Sequence, residues 1–172
     1  MGTQPDSPLS AFDLAKKFET TVWNEKDING VDEQDITQLI NIDGNSWSAF
    51  TIRVGVSNLI VFNSSQSKPR CNSVVMHELA HIMLGHELTS ASLTEDGHFV
   101  PTTYDQDQED EADWLAGTLL LPRAALLAIR RQQLDDNTAS DMYMVSQQML
   151  TWRFRMTGVD YQLQNARRRY AP

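Results

Sequence analysis

One cysteine, Cys71, stands in 172 residues. That rules out an intrachain disulfide framework and any zinc site built on several thiolates, and it suits a reducing, cytoplasmic compartment. Glycine and proline are sparse, 8 and 6 residues, which excludes a fibrous or low-complexity chain. Long apolar runs are missing too. The longest, Ala124 to Ile129, falls far short of a membrane span. The start, MGTQPDSPLS, has neither the basic nor the apolar segment of a signal peptide. Positive charge is scarce, 14 Lys and Arg against 23 Asp and Glu, for a net charge of −9. That balance argues against a chain that coats DNA or an anionic membrane.

What is present is an ordinary globular composition, 41% apolar and 22% charged. Its length suits one domain with a sizeable core. The charge is uneven. Residues 1–121 hold 6 Lys and Arg against 19 Asp and Glu, whereas residues 122–172 hold 8 Arg against 4 Asp. An acidic body therefore carries a basic tail.

Punctuation and periodicity set out the elements. Residues 1–8 read as a loose terminus. Ser10 caps an expected helix from Ala11 to Lys26, with Phe12, Ala15, Phe18, Val22 and Trp23 on one face. The Asn29-Gly30 turn leads to a short helix from Asp32 to Ile40, and Asp43-Gly44-Asn45 breaks the chain again. Trp47 to Phe62 is β-type, with a turn at Ser57-Asn58, and predicts a hairpin or small antiparallel sheet. From Ser73 the pattern is helical as far as Gly85 or the Ser90 region, and residues 91–106 read as loop. Helices are expected from Asp107 to Leu121 and, opened by Pro122, from Arg123 to Leu134. Ser140 to Met156 predicts one or two short helices, and the rest a frayed tail. The implied division is a main domain over residues 9–134, a helical segment packed on it over 135–160, and a basic tail over 161–172.

Chemistry concentrates in His77-Glu78-Leu79-Ala80-His81, an HExxH sequence. On a helix, residues i and i+4 share a face one turn apart. Two imidazoles so placed can ligate one zinc ion, and Glu78 lies beside them, able to take a proton from water. The apolar flanks Val74, Val75, Leu79, Ile82, Met83 and Leu84 suit a buried helix. The ordinary alternative is a set of helix histidines paired with carboxylates. A catalytic zinc needs a third protein ligand and an open position. His86 follows His77 by nine residues, which misses the metzincin spacing, so it reads as a structural residue or one behind the ligands. The acidic run Asp105 to Asp113 offers the rest. Most of it reads as a solvated face. Glu109, however, falls within the apolar arc of Ala112, Leu115, Ala116, Leu119 and Leu120, while Glu111 falls just outside and Asp110 points away. A carboxylate on a buried face needs a partner, and zinc is one. Glu109 and Asp113 are also spaced so that the Glu can bind metal while the Asp accepts from a ligand histidine. Glu109 is the candidate third ligand, with Glu111 the alternative.

HELAHIMLGH followed by EDEADWLAGTLLLP resembles the ImmA/IrrE-type family of zinc metallopeptidases. The strand pair ending LIVFNSS, Arg70 ahead of the HExxH helix, and Val145-Ser146 with Arg153 are also similar. The resemblance spans residues 10–158. Two positions depart from the usual pattern, Ala80 where Gly is common and Trp114-Leu115, and both changes are apolar. The resemblance implies a small gluzincin-like α+β domain, mostly helical, with a short sheet beside the HExxH helix. It implies His77, His81 and Glu109 as zinc ligands, Glu78 as the catalytic carboxylate, and a helix-turn-helix repressor as the protein substrate.

In such folds substrate adds to an edge strand, and Leu59 to Asn63 is the expected edge, weighed equally against an ordinary core hairpin. His98 and Tyr104 are candidates for steadying the oxyanion. Cys71 could plug a zinc site as thiolate, although a small semi-buried residue is the plainer reading. Met144 to Gly158 resembles half of a helix-turn-helix, with Arg153 and Arg155 as DNA contacts. Packing against the body, with those arginines solvated, is favoured. Two rival functions remain beside the peptidase: a non-catalytic zinc-fold interaction module, and a DNA-binding regulator acting through the C-terminal helices. An intact Glu78 favours catalysis.

Overall fold

The computed structural model of the chain describes residues 4–28, 47–54, 56–86, 91–93, 99–101 and 105–169. The expected helix from Asp32 to Ile40 and its flanking turns lie outside them. Ser10 caps the first helix, α1 (Ala11–Lys17), its hydroxyl accepting from the Asp13 N–H. This helix is much shorter than expected. Glu19 takes a left-handed φ of 51°, the chain turns, and Thr21–Asn24 forms strand β1. Thr21, Val22 and Trp23 suit a pleated surface, so the helical spacing of Val22 and Trp23 is coincidental.

Strands β2 (Ala49–Val54) and β3 (Ser57–Phe62) make the expected hairpin. It closes between Val54 and Ser57, two residues ahead of the expected turn. The sheet order is β1-β3-β2, with β1 parallel and β2 antiparallel to β3. The sheet is therefore mixed. Its central strand is β3, paired on both sides, which corrects the expectation that Leu59 to Asn63 forms an edge. Among the described residues the edges are β1 and β2.

Helix α2 (Lys68–Leu84) starts five residues earlier than its apolar pattern suggests. Ser67 caps it, Pro69 sits in its first turn, and Gly85 ends it at φ 70°. Residues 71–76 are all buried, the signature of a helix inside a core. Helix α3 (Gln106–Leu120) is capped by Asp105, which accepts from the N–H groups of Asp107 and Gln108. Leu79 and Ala80 of α2 and Ala112, Ala116 and Leu120 of α3 are fully buried. The alanines bring the two helix axes close. Ala91–Leu93 and Phe99–Pro101 pair as a two-stranded ladder, β4 with β5, in a stretch that reads as loop.

Pro122 precedes α4 (Arg123–Arg131), followed by α5 (Asp136–Tyr143), α6 (Gln147–Thr157) and α7 (Val159–Arg169). Helix α7 replaces the expected frayed tail. Val159 is buried, and Arg130 donates from Nε and Nη2 to Asp160 at 2.7 and 3.0 Å. Ala139, Tyr143, Val145, Leu150 and Phe154 belong to the same core cluster as α2 and α3. Arg153 is 3% exposed and donates from Nε and Nη2 to the Leu121 carbonyl. It neither sits in solvent nor offers its guanidinium to phosphate, whereas Arg155 is exposed. Asn72, 2% exposed, ties the chain ends to α2. Its Oδ1 accepts from the Ala11 N–H at 2.7 Å, and its Nδ2 donates to the carbonyls of Leu9 and Met144. Among the described residues no single helix is long and apolar enough to cross a membrane.

Candidate metal centre

The facing surfaces of α2 and α3 carry the centre. One turn separates His77 from His81, and one turn separates Glu109 from Asp113, so each helix presents two polar side chains to the other. His77 Nε2 lies 3.1 Å from His81 Nε2 and 3.1 Å from Glu109 Oε2. His81 Nε2 lies 3.5 Å from Glu109 Oε1. The three residues form a group able to hold a metal ion, each offering one donor atom.

The donor chemistry tests that fit. His77 Nδ1 bonds to Asp113 Oδ1 at 2.9 Å. Asp113 as carboxylate only accepts, so the hydrogen sits on Nδ1 and the Nε2 lone pair faces Glu109. Acceptors then meet acceptors, an arrangement that needs a cation between them. A tetrahedral cation with bonds of about 2.0–2.2 Å separates its ligands by about 3.3 Å, as these donors are separated. A proton can serve in its place. Burial opposes charge on His77, but the Asp113 hydrogen bond and the charges of Glu78, Asp113 and Glu109 outweigh it and raise its pKa. His81 moves the other way, held neutral by burial and by its neighbour His77.

Glu78 follows His77 on α2 and its Oε2 accepts from the Thr51 hydroxyl at 2.7 Å. Burial raises its pKa, and the Thr51 bond opposes that rise. Thr51 lies on the edge strand β2 between Phe50 and Ile52, both exposed. Strand alternation turns Thr51 to the opposite face, toward α2. The signal in the sequence was a lone hydroxyl at an inward position of a β-type run.

The other candidates sort themselves by geometry. Glu111 is turned away from the three donors and bonds to His86 Nε2 at 3.1 Å. His86 touches His81, Nδ1 to Nδ1, at 3.0 Å. The Cys71 thiol lies against the carbonyls of Asn63 and Gln66, and burial pushes its pKa up. It is a buried thiol rather than a thiolate plug. His98 and Tyr104 lie outside the described residues.

Half-buried acceptors that one cation can satisfy together, beside a carboxylate braced by a hydroxyl, form a site suited to hydrolysis. A family model described as the IrrE N-terminal-like domain of a peptidase family matches residues 37–157. No curated protein and no solved structure matches the chain. The matched stretch contains β2, β3, both metal-centre helices and the helices packed behind them, and the chain belongs to this family of IrrE N-terminal-like metallopeptidases.

Proposed function

We propose that the protein is a zinc-dependent endopeptidase that cuts a regulatory protein, with a helix-turn-helix repressor as its substrate class. The observation that carries the reading is the convergence of His77, His81 and Glu109 donors within 3.5 Å beside Glu78. Two imidazoles and a carboxylate suit zinc, and these three side chains would hold it. When bound, zinc lowers the pKa of water at the site towards ~7 and polarises the scissile carbonyl. Glu78 takes the proton from the attacking water and returns it to the leaving amine. Thr51 occupies one carboxylate oxygen and so leaves the other for that transfer.

An extended substrate adds to the edge of β2, in place of the edge expected from the sequence. Main-chain pairing there supplies affinity with little demand on sequence. Thr51 joins β2 to Glu78, which supports a path for the peptide past the catalytic carboxylate. The free thiol of Cys71 fits a cytoplasmic setting.

The test is a map of new protein N-termini in cells expressing wild type or Glu78→Gln, with metal content measured for both. New termini confined to wild type establish the peptidase and name its substrate. Identical maps from two proteins with equal metal would leave an interaction module instead.

A further inference from the structure

We infer that His86 is the positioning residue for His81. It fixes the tautomer and orientation of that imidazole and so raises the affinity of the centre for its metal. The inference rests on the reading of His81 as a metal ligand.

Gly85 ends α2 in a left-handed conformation, and the turn brings His86 back over the last helical residues. The His86 N–H donates to the His81 carbonyl at 3.0 Å. The side chain of His86 is only 7% exposed. Its ring meets that of His81 edge to face, 5.0 Å between centroids. The two Nδ1 atoms lie 3.0 Å apart, a distance that demands one hydrogen between them.

The position of that hydrogen follows from the ligand reading: an imidazole that binds metal through Nε2 keeps its hydrogen on Nδ1. His81 Nδ1 then donates and His86 Nδ1 accepts. The other end of the His86 ring meets a group that can only accept, since Glu111 Oε2 lies 3.1 Å from His86 Nε2. The His81 Nε2 lone pair is aimed at His77 Nε2 and Glu109. The opposite polarity would put a hydrogen on His81 Nε2, where it would block a metal ion. His77 is braced directly by the carboxylate of Asp113. His81 is braced through a second imidazole, whose carboxylate partner, Glu111, is 66% exposed. This arrangement orients the second histidine without a further anion beside Glu78, Glu109 and Asp113. Braces of this kind are worth about 10–100-fold in metal affinity.

The full chain tests this with two readouts. The first is the long-range proton–nitrogen NMR spectrum of its histidines without metal. The second is Zn2+ affinity by competition with a chromophoric chelator. Wild type should show His81 hydrogenated at Nδ1. His86→Asn keeps an acceptor near the Nδ1 position and should keep both the tautomer and the affinity. His86→Phe should lose the tautomer and about 10–100-fold in affinity, with its far-UV circular dichroism unchanged. Wild-type affinity in His86→Phe overturns the inference, as does an Nδ1–H retained on His81 in that variant. Should His86→Phe not fold, an Nε2–H tautomer on His81 in wild type overturns it alone. A wild type that takes up no Zn2+ while His81 keeps Nδ1–H defeats the zinc reading and leaves the relay standing.

Discussion

Replacing Asn72 by Leu removes three hydrogen bonds from the junction of α1, α2 and the α5–α6 turn, while keeping the branched shape of the side chain. The Ala11 N–H, bound at 2.7 Å to Asn72 Oδ1, lies in a fully buried residue and would have no other partner. An orphaned buried donor costs about 1–3 kcal/mol. The carbonyls of Leu9 and Met144 lie in partly exposed residues and can turn to water, at about 0.5–1 kcal/mol each. The added apolar surface of Leu offsets about 1 kcal/mol. The net loss is about 1–4 kcal/mol, a large share of the roughly 5–15 kcal/mol that holds a domain together. For a chain of this size that lowers Tm by about 2–16 °C. Thermal melts and urea titrations by circular dichroism read it, and the urea slope should stay constant. A loss under about 0.5 kcal/mol would mean that Asn72 is not the clasp described.

Three other outcomes are expected. Gly117→Ala would place a Cβ 2.6 Å from both Arg153 Cδ and Trp152 Cζ3. The overlap costs about 1–3 kcal/mol and should outweigh the helix gain of about 1 kcal/mol, so the urea midpoint falls; a rise refutes the close approach of α3 and α6. Thr51→Val removes a bond that favours the charged form of Glu78, leaving burial to raise its pKa unopposed. The acid limb of the pH–rate profile should move to higher pH, and Thr51→Ser should restore it; an unmoved limb refutes the role. Asp113→Asn weakens the brace on His77 and should cost about 10–100-fold in zinc affinity by competition titration, so unchanged affinity removes Asp113 from the centre.

The centre was legible because helix periodicity alone carries it. HExxH and Glu109-x-x-x-Asp113 each place two groups one turn apart, and the apolar arc of α3 turns Glu109, not Glu111, toward α2. The sheet was less legible. No glycine or proline marks the end of α1, because Glu19 makes the turn with a positive φ. The place of β3 at the centre depends on its parallel pairing with β1, which lies 38 positions earlier in the register Thr21↔Leu59. Local pattern does not encode such a partner. Arg153 misled for a similar reason. A tail arginine reads as solvated, yet its partner is a main-chain carbonyl at Leu121, invisible in side-chain identity. The relay from His81 through His86 to Glu111 depends on the turn at Gly85, and spacing alone shows only that His86 misses a ligand position.

The clasp at Asn72 also governs the order in which the chain can be completed during synthesis. Leu9 and Ala11 emerge early, but their shared partner also needs the carbonyl of Met144, and Ser73 Oγ needs the N–H of Ser146. The hydroxyl of Tyr143 reaches back to the carbonyl of Asp6. More than 130 residues must therefore leave the ribosome before the first turn of α1 is secured. Closing so long a loop costs entropy that local helix formation does not repay. The metal-centre helices, both translated before that point, wait for the C-terminal third of the chain to fix their setting. A nascent chain halted ahead of residue 144 holds His77, His81 and Glu109 without the C-terminal contacts that set the helices carrying them.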